Sequence, residues 1–262
     1  RSTLFPYTTL FRSASHYDCP LADTYGANAS LTLSFKNIMK YVFGDLSVNY
    51  NRYRNEVMYA QSFEGNTMVI NAVELPSWGD YLSVSLFAGK GFSWKKLNIN
   101  AKCSYGLGRS PHLVQNQVAI YYNQGWNANL TASIAFTDYI FFNNKGSWSR
   151  MTSSLDGFNA GSQPIASFID NANLSVLFPF GLSLTPSVEF YHTRSEECTD
   201  NFVLLDCSLS YTFRKVKFSL DVNNILNTDS FIYSYYSGIY GYYSAYLIRP
   251  RSVMLTARFK VF

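Results

Sequence analysis

Residues 126–136 read Trp-Asn-Ala-Asn-Leu-Thr-Ala-Ser-Ile-Ala-Phe. Trp126, Ala128, Leu130, Ala132, Ile134 and Phe136 alternate with Asn127, Asn129, Thr131, Ser133 and Thr137. Period-two alternation places successive side chains on opposite faces of a strand. One face is then apolar and the other polar but uncharged.

The same pattern recurs outward from this stretch. It runs through Ala27–Lys36, Leu97–Tyr105, Leu182–Phe190, Val203–Phe213, Val216–Asn223 and Val253–Val261. Many runs reach ten residues, whereas strands of globular proteins usually have about five or six. A tilted strand that crosses a membrane needs roughly nine to eleven. Length therefore favours membrane-crossing strands over a soluble β-sandwich.

Composition agrees with two-faced strands. The 262 residues are 18% aromatic and only 15% charged, with 21 Tyr and 21 Phe, against about 25% charged residues in an average domain. Mean hydropathy is near neutral at −0.06. No apolar run approaches the roughly 18 residues of a spanning helix. The net charge of +4 is scattered, without the basic stripe that nucleic acid requires. The four cysteines, Cys19, Cys103, Cys198 and Cys207, lack zinc-site spacing. Cys198 and Cys207 could pair in an oxidising compartment, although unpaired thiols are the favoured reading.

Short turns are expected near 37–40, 93–96, 123–125, 179–181 and 214–215. Long connections are expected near 61–66, 106–115, 138–164, 191–200 and 224–248. Outer-membrane barrels alternate short and long connections in this way. Reading 67–88 as one strand bent around Pro76 and Gly79 keeps the parity and gives about eleven strands. An odd count leaves the sheet incomplete, because known single-chain bacterial barrels have even numbers. The expected fold is all-β: an antiparallel meander of about eleven long strands, a fragment of a larger transmembrane β-barrel, with residues 14–262 as its C-terminal part. Taken alone, these residues should form an open, curved sheet or a forced small barrel, with an unpaired edge near Ala27–Lys36. Residues 1–13, RSTLFPYTTLFRS, resemble translated sequencing adapter and are set apart from the fold.

The last 43 residues contain Asp221-Val222-Asn223-Asn224-Ile225-Leu226-Asn227, a Tyr/Ser-rich loop, Arg249-Pro250-Arg251-Ser252 and the closing Arg258-Phe259-Lys260-Val261-Phe262. This combination resembles the end of TonB-dependent-receptor-like barrels of Bacteroidetes. The resemblance implies a barrel of about 22 strands in the outer membrane of a Gram-negative bacterium, around a plug not contained here. It implies a receptor that imports a nutrient such as a metal chelate, a vitamin or a glycan. The implied partners are outer-membrane lipid, a TonB-type energy-coupling protein, the barrel-assembly machinery and a surface lipoprotein. It also implies an assembly signal at Phe259, Val261 and Phe262, although Phe262 is out of phase with the strand's apolar face. Two other readings stay open: a passive structural or adhesive barrel, and a soluble secreted β-rich binding domain.

Candidate ligand contacts lie in the aromatic loop at Tyr233, Tyr235, Tyr236, Tyr240, Tyr242 and Tyr243, since Tyr couples flat apolar area to a hydroxyl. A rigid loop that extends the barrel, or packing between loops, is the favoured explanation. Candidate lumen-facing residues are Lys102, Glu189, Asp206, Asp221 and Arg258, which would line a path or simply keep a wet surface solvated. Asp206, Asp221 and Arg258 are placed to form a cross-strand ion pair. His16, His112 and His192 are far apart, and no nucleophile, hydrolase, metalloprotease or phosphate-binding motif occurs. The expectation is no enzyme, no metal and no cofactor.

Overall fold

The structure is a computed structural model and describes residues 12–16, 23–64, 67–114, 117–156, 164–195, 199–237 and 240–259. In chain order the strands are β1 (Arg12–His16), β2 (Thr24–Asn37), β3 (Val42–Glu64), β4 (Thr67–Phe92), β5 (Leu97–Val114), β6 (Gln117–Ala135) and β7 (Ile140–Leu155). There follow β8 (Ile165–Leu177), β9 (Leu182–Arg194), β10 (Thr199–Phe213), β11 (Val216–Asn223), β12 (Ser230–Ser237), β13 (Tyr240–Leu247) and β14 (Ser252–Phe259). Eleven of them, β2–β11 and β14, pair antiparallel in a meander. β1 adds in parallel beside β4, and β12 and β13 form a separate hairpin between β11 and β14. No helix among the described residues is long and apolar enough to cross a membrane.

The register carries the alternation from strand to strand. Directly opposed residues share a face, so pairing one serine fixes a whole row. Thr32, Ser47, Ser85, Ser104, Asn127, Ser149, Ser167 and Thr193 lie opposite one another across eight consecutive strands. The hydroxyls of Ser149 and Ser167 are 2.7 Å apart. A second row, Leu184, Leu209, Leu220 and Leu255, is apolar. Along these rows the sheet therefore has one polar and one apolar face.

The strands are longer than the sequence suggests. β3 and β4 have 23 and 26 residues, and a bulge between Asn55 and Val57 absorbs Pro76, which cannot donate to a ladder. The stretches read as connections at 61–66 and 106–115 belong mostly to β3 and β5. The stretch 123–125 is no turn but the middle of β6, and 138–164 contains all of β7. These two displacements cancel, and the count stays at eleven. Tight turns at the opposite ends use left-handed residues, among them Tyr41, Lys95 and Arg214.

The expected closed transmembrane barrel of about 22 strands is not formed. Among the described residues β3 is the only partner of β2, and β11 the only partner of β14. The physical reason is parity. Eleven antiparallel strands leave β2 and β14 running in the same direction, so they cannot join antiparallel. The unpaired edge foreseen at residues 27–36 is present, as β2. Total accessible surface is 18466 Å², against about 11,600 Å² for a compact chain of this mass. Little of the sheet is covered: among the described residues few are buried, such as Met58, Ala119, Tyr121 and Leu155.

Candidate functional site

The Asp221–Asn227 motif builds a latch. β11 ends at Asn223, and Asn224 turns the chain with a left-handed φ of 51°, a conformation Asn tolerates better than most residues. Its side chain is 5% exposed as a residue and fully employed. Nδ2 donates to the carbonyls of Thr228 at 2.9 Å and Arg249 at 3.0 Å. Oδ1 accepts from the Thr228 amide at 2.9 Å. The Asn224 amide donates to Asp206 at 2.7 Å. Thr228 precedes β12 and Arg249 follows β13, so one side chain ties both legs of the hairpin to the sheet. The Thr228 hydroxyl donates to the carbonyl of Val203 at 2.8 Å, and the Arg251 amide to Asn227 at 3.1 Å.

The hairpin rests on the polar face through aromatic rings. Tyr191 and Phe202 stack at 4.3 Å with their planes 9° apart. Phe202 meets Phe231 at 5.0 Å, and Phe231 stacks on Tyr246 at 5.2 Å. The Ile232 amide also donates to Asp200 at 2.7 Å. Burial, aided by the Tyr191 hydroxyl's hydrogen bond to Glu189, pushes the Tyr191 pKa up to about 12. Beyond this seat the register pairs Tyr233 with Ser244, Tyr235 with Tyr242 and Tyr236 with Gly241, while Tyr243 lies opposite Ser234 and Tyr240 opposite Ser237. Tyr233 is half exposed. The side chains of Tyr235, Tyr236, Tyr240, Tyr242 and Tyr243 lie outside the described residues. Sequence reasoning passed over Tyr191, Phe202, Asp200 and the latch role of Asn224, because their partners lie on other strands.

The five residues expected on one polar face do share it, but they do not converge. Lys102 is opposite Asn129 on β6, Glu189 opposite Leu204, Asp206 opposite Ser187, Asp221 opposite Ser208 and Arg258 opposite Lys217. Among the described residues no ion pair joins Asp206, Asp221 and Arg258. Asp206 holds the Asn224 amide, and Asp221 accepts from Ser208 at 2.6 Å. Phe259 is exposed at the end of β14; Val261 and Phe262 lie outside the described residues. So do Cys19 and Cys198, while Cys103 and Cys207 are free thiols.

Chemistry-bearing groups are sparse. Ser110 meets His112 Nε2 at 3.1 Å, and the imidazole stands edge-on to Tyr121. Burial holds the His112 pKa below the usual histidine range. That keeps the ring neutral, but no carboxylate among the described residues orients it, as a nucleophile–base pair would require. Among the described residues no group of three or more His, Cys, Asp or Glu could hold a metal ion.

The apolar face carries a shallow trough of about 390 Å³, lined by Leu86, Ala101, Cys103, Leu130, Trp148 and Phe168. Beside it Asp170 accepts from Asn144 at 2.9 and 3.1 Å. Towards the long ends of the strands the face turns polar. Asp80 there lies between Arg52 and Arg109 at 3.7 and 3.6 Å and accepts from Tyr50 at 2.7 Å. Arg52 also lies over the Trp78 ring.

No known family matches the chain, and no curated protein is significantly similar to it. The likeness of its last residues to TonB-dependent-receptor-like barrels is therefore not supported. Outer-membrane location, nutrient import, the energy-coupling protein, the assembly machinery, the surface lipoprotein and outer-membrane lipid all rested on a closed barrel. With the open sheet they fall together. The Asp221–Asn227 motif has instead a local explanation, the latch.

Proposed function

We propose that the chain is a non-catalytic β-rich binding domain. The sheet is its scaffold, and the tyrosine-rich hairpin β12–β13 is its ligand-contact element. The observation that carries this reading is the Asn224 latch. Buried hydrogen bonds from one side chain hold both legs of the hairpin at the end of β11. Fixing a contact element before binding reduces the entropy lost on association. Tyr supplies amphipathic contact area with few rotatable bonds, which suits ring-bearing polar ligands, glycans first among them.

The test is a glycan array probed with the whole chain, followed by calorimetric titration of the best oligosaccharide. Tyr235→Ala with Tyr242→Ala should weaken binding about tenfold or more, with the far-ultraviolet dichroism of the sheet unchanged. If no glycan binds, or if the double variant binds as tightly as the parent, the reading is wrong.

A further inference from the structure

The geometry points to β2 as a self-pairing edge, through which two copies of this chain join their sheets in antiparallel register about a two-fold axis. Fourteen consecutive residues, Thr24–Asn37, have a strand on one side only among the described residues. Their outward backbone groups form a template for a further strand. Natural edges are guarded by proline, bulges, shortness or charge. β2 has no proline, pairs with β3 without a register shift, and carries a single charge, Lys36, near one end. Leu31, Leu33 and Phe35 are each more than half exposed along it.

The identity of the occupant follows from parity and from the two faces. A partner strand must run antiparallel, the commoner and slightly more stable pairing. It must also keep the apolar face on the same side, or every row described above would be broken at the seam. A second copy meets both conditions only when turned about an axis normal to the sheet. That rotation sets like edges together, β2 against β2 or β14 against β14, and never β2 against β14. Between the two, β2 offers 14 residues and β14 only 8. β14 also starts just after Arg249, Pro250 and Arg251 and contains Arg258. In a β2 pair the central residues Ser30 and Thr32 of the two copies become neighbours, whichever of them lies nearest the axis. Lys36 meets the far end of its partner strand rather than another lysine.

Sedimentation velocity on the whole chain tests this, in a nonionic detergent that covers the apolar face. The parent should be a dimer. Ser30→Glu with Thr32→Glu, and separately Ser30→Lys with Thr32→Lys, should each weaken dimerisation about tenfold or more through like-charge opposition. An equimolar mixture of the two variants should dimerise again, which a misfolded variant could not do. Thr256→Lys on β14 should leave the parent dimer intact. A monomeric parent would overturn the inference. So would a dimer indifferent to the β2 charges, or a mixture that fails to recover.

Discussion

At Gly79 the space for a side chain is already taken. A Cβ there would lie 2.3 Å from Cζ of Tyr53, whose ring covers the glycine from the neighbouring strand. The contact crosses the β3–β4 pair next to the bulge, where Asn55 opposes Ser77 and Tyr53 opposes Gly79. Gly79→Ala must displace the ring or part the strands, at a cost of about 1–3 kcal/mol. Tyr53→Ser alone should cost less, and the double variant should recover most of the loss. Chemical denaturation of the four proteins gives the cycle, and strict additivity would show that ring and glycine do not interact. Pro76 and Gly79 are visible in the sequence as a bend. The reason for the glycine is not, because Tyr53 lies 26 residues away along the chain.

The element that depends most on one residue is the β12–β13 hairpin. Asn224→Ala removes both carbonyl contacts and the Thr228 amide contact, and leaves buried backbone groups unpaired. The expected loss is about 2–3 kcal/mol, felt locally. Asn224→Asp keeps the Thr228 amide contact and loses the two donations, so it should fall between. Limited proteolysis reads this directly: cleavage within 229–247 should accelerate in the order parent, Asp, Ala. Equal cleavage of all three would remove the latch from the account. The motif stands out in the sequence, yet its role depends on carbonyls 4 and 25 residues away, which no local pattern encodes. β7 was hidden for a related reason. Asn144 and Gly146 stand on its apolar face, opposite Ala132 and Leu130, and interrupt the alternation that revealed its neighbours. Gly125, which looks like a turn, is extended chain between Gly106 and Met151.

Across the whole molecule, strand number and facing were readable from period two, and parity gave the open edge at residues 27–36; the place in a larger closed barrel that the sequence suggested is not borne out. A closing ladder is made of backbone hydrogen bonds, which leave no mark on side-chain order. The sheet also leaves an apolar face open, with Leu130 49% and Leu255 73% accessible. Contiguous apolar patches beyond a few hundred Å² are rare on monomeric soluble proteins. In water the chain should bind the dye anilinonaphthalene sulfonate strongly. Leu86→Arg with Leu130→Arg, facing the trough, should cut the enhancement about twofold or more, by removing adjacent apolar area. Weak dye fluorescence from the parent would show the face to be covered in solution.

Because nearly every strand of the meander pairs with its neighbours in sequence, the protein approximates a one-dimensional array. Stability in such an array is a sum of local strand energies and nearest-neighbour couplings. Damage need not travel: a lesion in β4 reaches β10 only by melting every intervening pair. Order is lost by fraying inward from the two ends. The latch ties β10, β11 and the hairpin into one block at the β14 end, so in a copy with no partner strand on β2 unzipping begins at the N-terminal end of the array.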